Sequence, residues 1–186
     1  MKAAPVIHIT GWPGSGKRTI AMHLRDRIGA RLIDNHLILN PASALFERGT
    51  PDRSALRERL RAVMYEAALG LPADVPLILT DALAETDAKG PLIEPTIQLA
   101  KDRGAQLVPF VLRIDPEENM RRLTDPARDG TGKLTDAAML RDLHATHRLL
   151  RLPGGLDLDV TDLSAGAAAE VIEAMIHCAQ ASDTNV

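Results

Sequence analysis

The 186-residue chain is poor in aromatic side chains: Trp12, Phe46, Tyr65 and Phe110 are the whole set. Proteins that hold single-stranded nucleic acid stack the bases on aromatic rings, so that role is disfavoured and the core must be built from Leu, Ile, Val and Ala. Cysteine is as scarce. Cys178 stands alone, which excludes an internal disulfide and fits a reducing compartment. Neither sign of charge dominates, with 22 Lys and Arg against 25 Asp and Glu and a net charge of -3. Nothing there recruits a nucleic acid or an anionic membrane. No apolar run approaches the roughly 20 residues of a membrane span. The stretch after Met1-Lys2-Ala3-Ala4-Pro5 is interrupted by His8 and is too short for a signal peptide. The expectation is a cytoplasmic protein, monomer or homodimer, with neither nucleic-acid nor membrane partner.

What is present is an ordinary globular composition, 45% hydrophobic and 25% charged, at a length that suits a single domain over 1–186. Short runs rich in Val, Ile and Leu fall at 6–10, 31–33, 77–80, 106–114 and 156–160. Most lack strict alternation, as strands covered on both faces do. Between them the pattern predicts helices over 17–28, 54–70, 91–104, 116–123, 135–150 and 165–179. Gly29 after Ile28, and Gly104 after Lys101-Asp102-Arg103, read as helix stops. Asp115-Pro116-Glu117-Glu118 reads as a helix start, and Thr135-Asp136 as another. The residues from 181 to 186 read as a frayed tail. Alternation of strand and helix predicts a parallel sheet with helices on both faces.

The strongest local signal is Gly11-Trp12-Pro13-Gly14-Ser15-Gly16-Lys17-Arg18-Thr19, after a predicted strand and opening a predicted helix. Glycines there let successive backbone N–H groups converge on phosphate oxygens. The helix start adds its positive end to the same anion, and Lys17 adds a full charge aimed at the β- and γ-phosphates. The expected ligand is a nucleoside triphosphate with Mg²⁺. One position departs from the usual pattern: the Ser or Thr that follows the lysine and binds Mg²⁺ is here Arg18, with Thr19 one residue later.

The string Gly-x-Pro-Gly-x-Gly-Lys-x-Thr resembles the loop of the adenylate kinase-like small-molecule kinases, a group that includes shikimate, gluconate and chloramphenicol kinases. The resemblance implies a three-layer P-loop fold, with a five-stranded parallel sheet in the order 2-3-1-4-5 and a short lid at about 121–134. It implies that Gly11, Pro13, Gly14, Ser15, Gly16, Lys17, Arg18 and Thr19 bind ATP. It also implies that Thr19 contacts a phosphate and that Mg²⁺ is held largely through water. The Asp-Gly-x-Pro-Arg signature of adenylate kinases is absent, with Thr80-Asp81-Ala82-Leu83 in its place. The triple glycine of shikimate kinases and the Asn-Lys-x-Asp guanine signature are absent too.

Ligands of open parallel sheets sit beyond the carboxyl ends of the strands, which selects Asp34 and Asp81. In kinases that this chain resembles, a carboxylate after the second strand contacts the acceptor hydroxyl. Asp34 matches that place as base or orienter, or else it caps a turn with Asn35. Asp81 stands where a carboxylate would hold Mg²⁺ through water, or else it caps the segment 82–85. Arg121 and Arg122 lie just upstream of the glycine-rich stretch 124–133, which carries Arg128 and Lys133 and reads as a lid over phosphates or as a solvated turn. His36 can line an acceptor pocket or serve the structure. His144 and His147 read as surface, and His8 and His23 as structural. Arg53, Arg57, Arg59 and Arg61 read as a solvated helix face that can also reach an anionic acceptor. The sequence thus predicts an ATP-dependent phosphotransferase acting on a small hydroxyl-bearing molecule. The alternative is a nucleotide-binding sensor or slow ATPase that acts through a protein partner.

Overall fold

A computed structural model of the protein describes residues 3–87, 92–125 and 136–182. The five apolar runs form strands β1 (Val6–Thr10), β2 (Arg31–Asp34), β3 (Leu77–Asp81), β4 (Leu107–Arg113) and β5 (Leu156–Asp159). All neighbours pair in parallel, in the order β2-β3-β1-β4-β5. Parallel strands need crossovers, and the amphipathic segments between them supply helices that bury both faces. That is why β1 and β3 are buried at every position. On one face Ile7 and Ile9 pack with Ile20 and Leu24 of helix α1 (Lys17–Ile28) and Ile172 and Ile176 of helix α7 (Ala165–Ser182). On the other, Val6, Leu77 and Leu79 meet Tyr65 of helix α3 (Pro51–Leu69) and Leu99 of helix α4 (Glu94–Asp102). Thr10, Asp34 and Asp81 end their strands at the same edge, with Thr10 opposite Asp81 and Asp34 opposite Thr80.

Helix α1 starts and stops where its glycines dictate, between Gly16 at φ 84 and Gly29 at φ 67. Helix α5 (Pro116–Leu123) is capped by Asp115, whose side chain accepts from the N–H groups of Glu117 and Glu118. Helix α3 begins three residues before the expected start. Thr50 caps it and Pro51 takes the first position, where its missing N–H is harmless. The expected helix over 91–104 is the shorter α4.

Two differences matter for function. Helix α2 (His36–Leu45) was not among the expected helices; Pro41 lies inside it and removes an internal hydrogen bond. Burial of Ile38 and Ala42, one turn apart, outweighs that loss. Helix α6 (Ala137–Thr146) ends short of the expected 150. The chain beyond it runs back beside the segment that follows β3. Glu85 N–H donates to the Arg148 carbonyl and Leu150 N–H to the Leu83 carbonyl, both at 2.9 Å. The tail expected from 181 is still helical through Ser182. No described helix is long and apolar enough to cross a membrane.

Candidate nucleotide and acceptor site

The loop between β1 and α1 is held open by its glycines. Gly14 lies at φ 90, and a Cβ there would fall 2.5 Å from Asn119 Nδ2. A Cβ on Gly11 would fall 2.7 Å from Ser15 Oγ. Helix α1 has neither a side-chain cap nor an acidic residue in its first turn, so its first N–H groups are left for an anion. Lys17 Nζ donates to the Trp12 carbonyl at 3.3 Å. Ser15 is fully buried, and its hydroxyl has no hydrogen-bond partner among the described residues. An orphaned hydroxyl inside a cradle of backbone N–H groups fits a phosphate ligand.

Two residues that the sequence reading missed fix this loop from behind. Asn119 of α5 is fully buried, and its Nδ2 donates to the Pro13 carbonyl at 2.8 Å. That bond leaves Asn119 Oδ1 to accept from His144 Nε2 of α6 at 2.9 Å. His144 also meets the Trp12 ring edge-on, with centroids 6.1 Å apart, and burial lowers its pKa from the ordinary 6.5. Trp12 in turn packs with Ala84, Leu123 and Leu140. His144 is therefore not the surface residue expected, whereas His147 is exposed and contacts Thr146 Oγ1. The one available signal was Asn119, a polar residue one turn before Leu123 on the face of α5 that turns inward.

The carboxylates lie at the carboxyl edge of the sheet. Asp34 is 5% exposed; Thr80 Oγ1 donates to its Oδ1 at 2.7 Å, and Arg18 Nε pairs with its Oδ2 at 2.9 Å. Helix α2 takes no side-chain cap from Asn35, and both oxygens of Asp34 are turned to Thr80 and Arg18. Asp81 is also 5% exposed, with Oδ2 3.6 Å from Nε2 of the buried His8. The Asp81 carbonyl accepts from Gly11 N–H at 3.3 Å, which ties β3 to the start of the loop. Its carboxylate does not cap 82–85: Leu83 N–H donates to Thr10 Oγ1 and Glu85 N–H to Arg148.

A single cavity of about 630 Å³ joins the two halves, with Lys17, Thr19, Asp34, His36, Arg53 and Arg57 in its wall. Helices α2 and α3 form its far side. Arg53 donates through Nε and Nη2 to Ser43 Oγ at 3.2 and 3.0 Å, so its charge faces a neutral partner. Burial first, and then the Arg53 and Arg61 guanidiniums, lower the Arg57 pKa. These three arginines are spaced four residues apart and share one face of α3, and Arg61 is 3% exposed. Of the expected solvated run, Arg59 is the exposed one. His36 Nδ1 lies 3.3 Å from Asn40 Oδ1, and His23 is exposed on α1.

Arg122 lies beside the loop. Its Nε donates to Glu118 Oε1 at 2.6 Å, and its Nη2 donates to the Val160 and Thr161 carbonyls at 3.0 and 2.7 Å. Its Nη1 is 3.9 Å from where a Cβ on Gly16 would stand. Arg121 is exposed and pairs with the other side of Glu118; the two arginines hold the Glu118 carboxyl down at about 2. Arg128, and the expected lid from 126 onward, lie outside the described residues. Among the described residues no group of three or more His, Cys, Asp or Glu could hold a metal ion directly.

No protein-family model matches the chain, and no curated protein matches it in sequence. Solved structures do match. A candidate kinase of Chloroflexus aurantiacus superposes at TM-score 0.69 with 16% identity, over 96% of this chain and 98% of that one. A gluconokinase of Sinorhizobium meliloti superposes at 0.62 with 15% identity, over 100% and 99%. A shikimate kinase of Acinetobacter baumannii bound to shikimate superposes at 0.60 with 20% identity, over 95% of each chain. The strand order, the glycine loop ahead of α1 and these superpositions agree: the chain has the fold of the P-loop small-molecule kinases.

Proposed function

We propose that the chain, as one domain, is an ATP-dependent phosphotransferase that moves the γ-phosphate of ATP to a hydroxyl of a small anionic molecule. The observation that carries this reading is the cavity, which runs from the phosphate loop to a wall of carboxylate and arginine. A sensor or slow ATPase needs a nucleotide pocket but no such second half.

In this reading the loop N–H groups, Lys17 and Thr19 hold the phosphates, and Asp34 orients the acceptor hydroxyl or takes its proton. The acceptor oxygen forms a bond to the γ-phosphorus as the bond to the bridging oxygen of ADP breaks, and the hydroxyl proton leaves to a base or to water. Arg122, fixed by Glu118 and two carbonyls, adds positive charge beside the loop, and Arg128 would add more from the lid. Mg²⁺, when bound, supplies charge neutralisation on the phosphate oxygens. Asp81 and Thr19 would hold it through water, because Arg18 stands in place of the usual hydroxyl ligand. Arg53 and Arg57, crowded together and with no carboxylate within hydrogen-bond reach among the described residues, favour an acceptor that carries a carboxylate or phosphate. The test is incubation with γ-labelled ATP, Mg²⁺ and a metabolite extract. A labelled anionic product is expected; release of free phosphate alone would refute the transferase reading.

A further inference from the structure

Arg18 occupies the position at which a P-loop usually offers a hydroxyl to Mg²⁺. A guanidinium has no lone pair to give a metal and is always charged, so it removes the ligand and repels a cation at the same point. The charge it brings is not left to drift. Arg18 Nε is paired at 2.9 Å with Asp34 Oδ2, while Asp34 is itself buried and fixed by Thr80 Oγ1 at 2.7 Å. The Arg18 side chain remains about half exposed, at 49%, and lines the cavity beside Gly16, Lys17 and Thr19. Among the described residues its two Nη groups have no hydrogen-bond partner. A planar fork, anchored at one nitrogen and open at the other two, is the geometry that suits phosphate oxygens.

We infer that Arg18 is a phosphate-binding arm, held by Asp34, which supplies from within the chain part of the charge that other P-loops draw from bound Mg²⁺. The inference rests on the ATP-binding reading and refines it. Lys17, the start of α1 and Arg18 then form three fixed positive contributions around one loop, and ATP binds with a weak dependence on Mg²⁺.

The test is calorimetric titration of ATP into the full chain, once in EDTA and once in excess Mg²⁺. Arg18→Ala should weaken metal-free ATP binding by roughly ten- to a hundredfold, the range for hydrogen bonds to a charged group, and should change AMP binding little. Arg18→Ser should lose the same metal-free affinity and regain much of it when Mg²⁺ is added, a split that a merely structural role would not produce. Arg18→Lys, which keeps the charge without the fork, should fall between and guards against a folding artefact. Equal metal-free affinity in Arg18→Ala and the parent would overturn the inference and leave the ATP-binding reading standing. So would an Mg²⁺ dependence in the parent as steep as that of Arg18→Ser. A parent that binds no ATP in either buffer would overturn both.

Discussion

Replacing Asn119 by Leu keeps the branching and heavy-atom count of the side chain and removes both of its hydrogen bonds. The lost pairs are the 2.8 Å bond to the Pro13 carbonyl and the 2.9 Å bond from His144 Nε2. Each buried bond contributes about 0.5–1.5 kcal/mol, and an orphaned buried partner costs about 1–3 kcal/mol. Asn119 is fully buried, so water cannot compensate at the amide itself, although His144 is partly exposed and can recover part of its loss. The expected destabilisation is about 2–3 kcal/mol, or a fall in Tm of roughly 4–12 °C for a chain of this size. Trp12, the one tryptophan, packs in the same cluster, so urea unfolding followed by its fluorescence reports the loop directly. ATP affinity should fall in parallel, because the Pro13 carbonyl fixes the turn that aims the N–H groups. A variant within about 0.5 kcal/mol of the parent, with unchanged ATP binding, would refute the claim that α5 and α6 hold the loop.

Lys17→Ala should weaken ATP binding at least about tenfold by calorimetry; unchanged affinity would remove the loop from the site. Arg57→Gln removes a charge that is disfavoured first by burial and then by the neighbouring Arg53 and Arg61. After allowance for solvent screening it should stabilise the unliganded protein by about 0.5 kcal/mol. It should also reduce the rise in Tm that sulfate gives the parent, and an equal sulfate effect would discard the anionic acceptor wall. Burial lowers the His144 pKa below its ordinary 6.5, so below pH 6.5 the unfolded chain takes up a proton that the folded chain does not. The stability that neutral His144 contributes is present above that pH and is lost as pH falls toward its folded pKa. His144→Gln should therefore flatten the decline in urea stability between pH 7.5 and 5.5, and an unchanged slope would refute it.

The sequence by itself determined the five strands, the bounds of α1 and α5 and the glycine-rich loop between β1 and α1, because each depends on neighbours a few residues away. A glycine at positive φ, a proline after a capping Asp and an apolar run between turn residues are all local chemistry. The edge positions of Asp34 and Asp81 also followed, since a parallel sheet aligns all its carboxyl ends. Helix α2 did not, because Pro41 argues against a helix and only the packing of Ile38 and Ala42 decides for one. Contacts across the fold were out of reach as well. Asn119 meets a loop residue 106 positions away, and Asp34 meets Thr80 46 positions away. Periodicity says which face of a helix turns inward but not what it meets there. The sequence therefore determined that this chain has a glycine-rich loop between β1 and α1. The tertiary structure decided that Arg18 turns to Asp34, that Arg53 and Arg57 face the same cavity, and that His144 and Asn119 brace the loop. These partners are chosen by long-range packing, in which the burial of apolar faces brings polar groups within reach that no local pattern encodes.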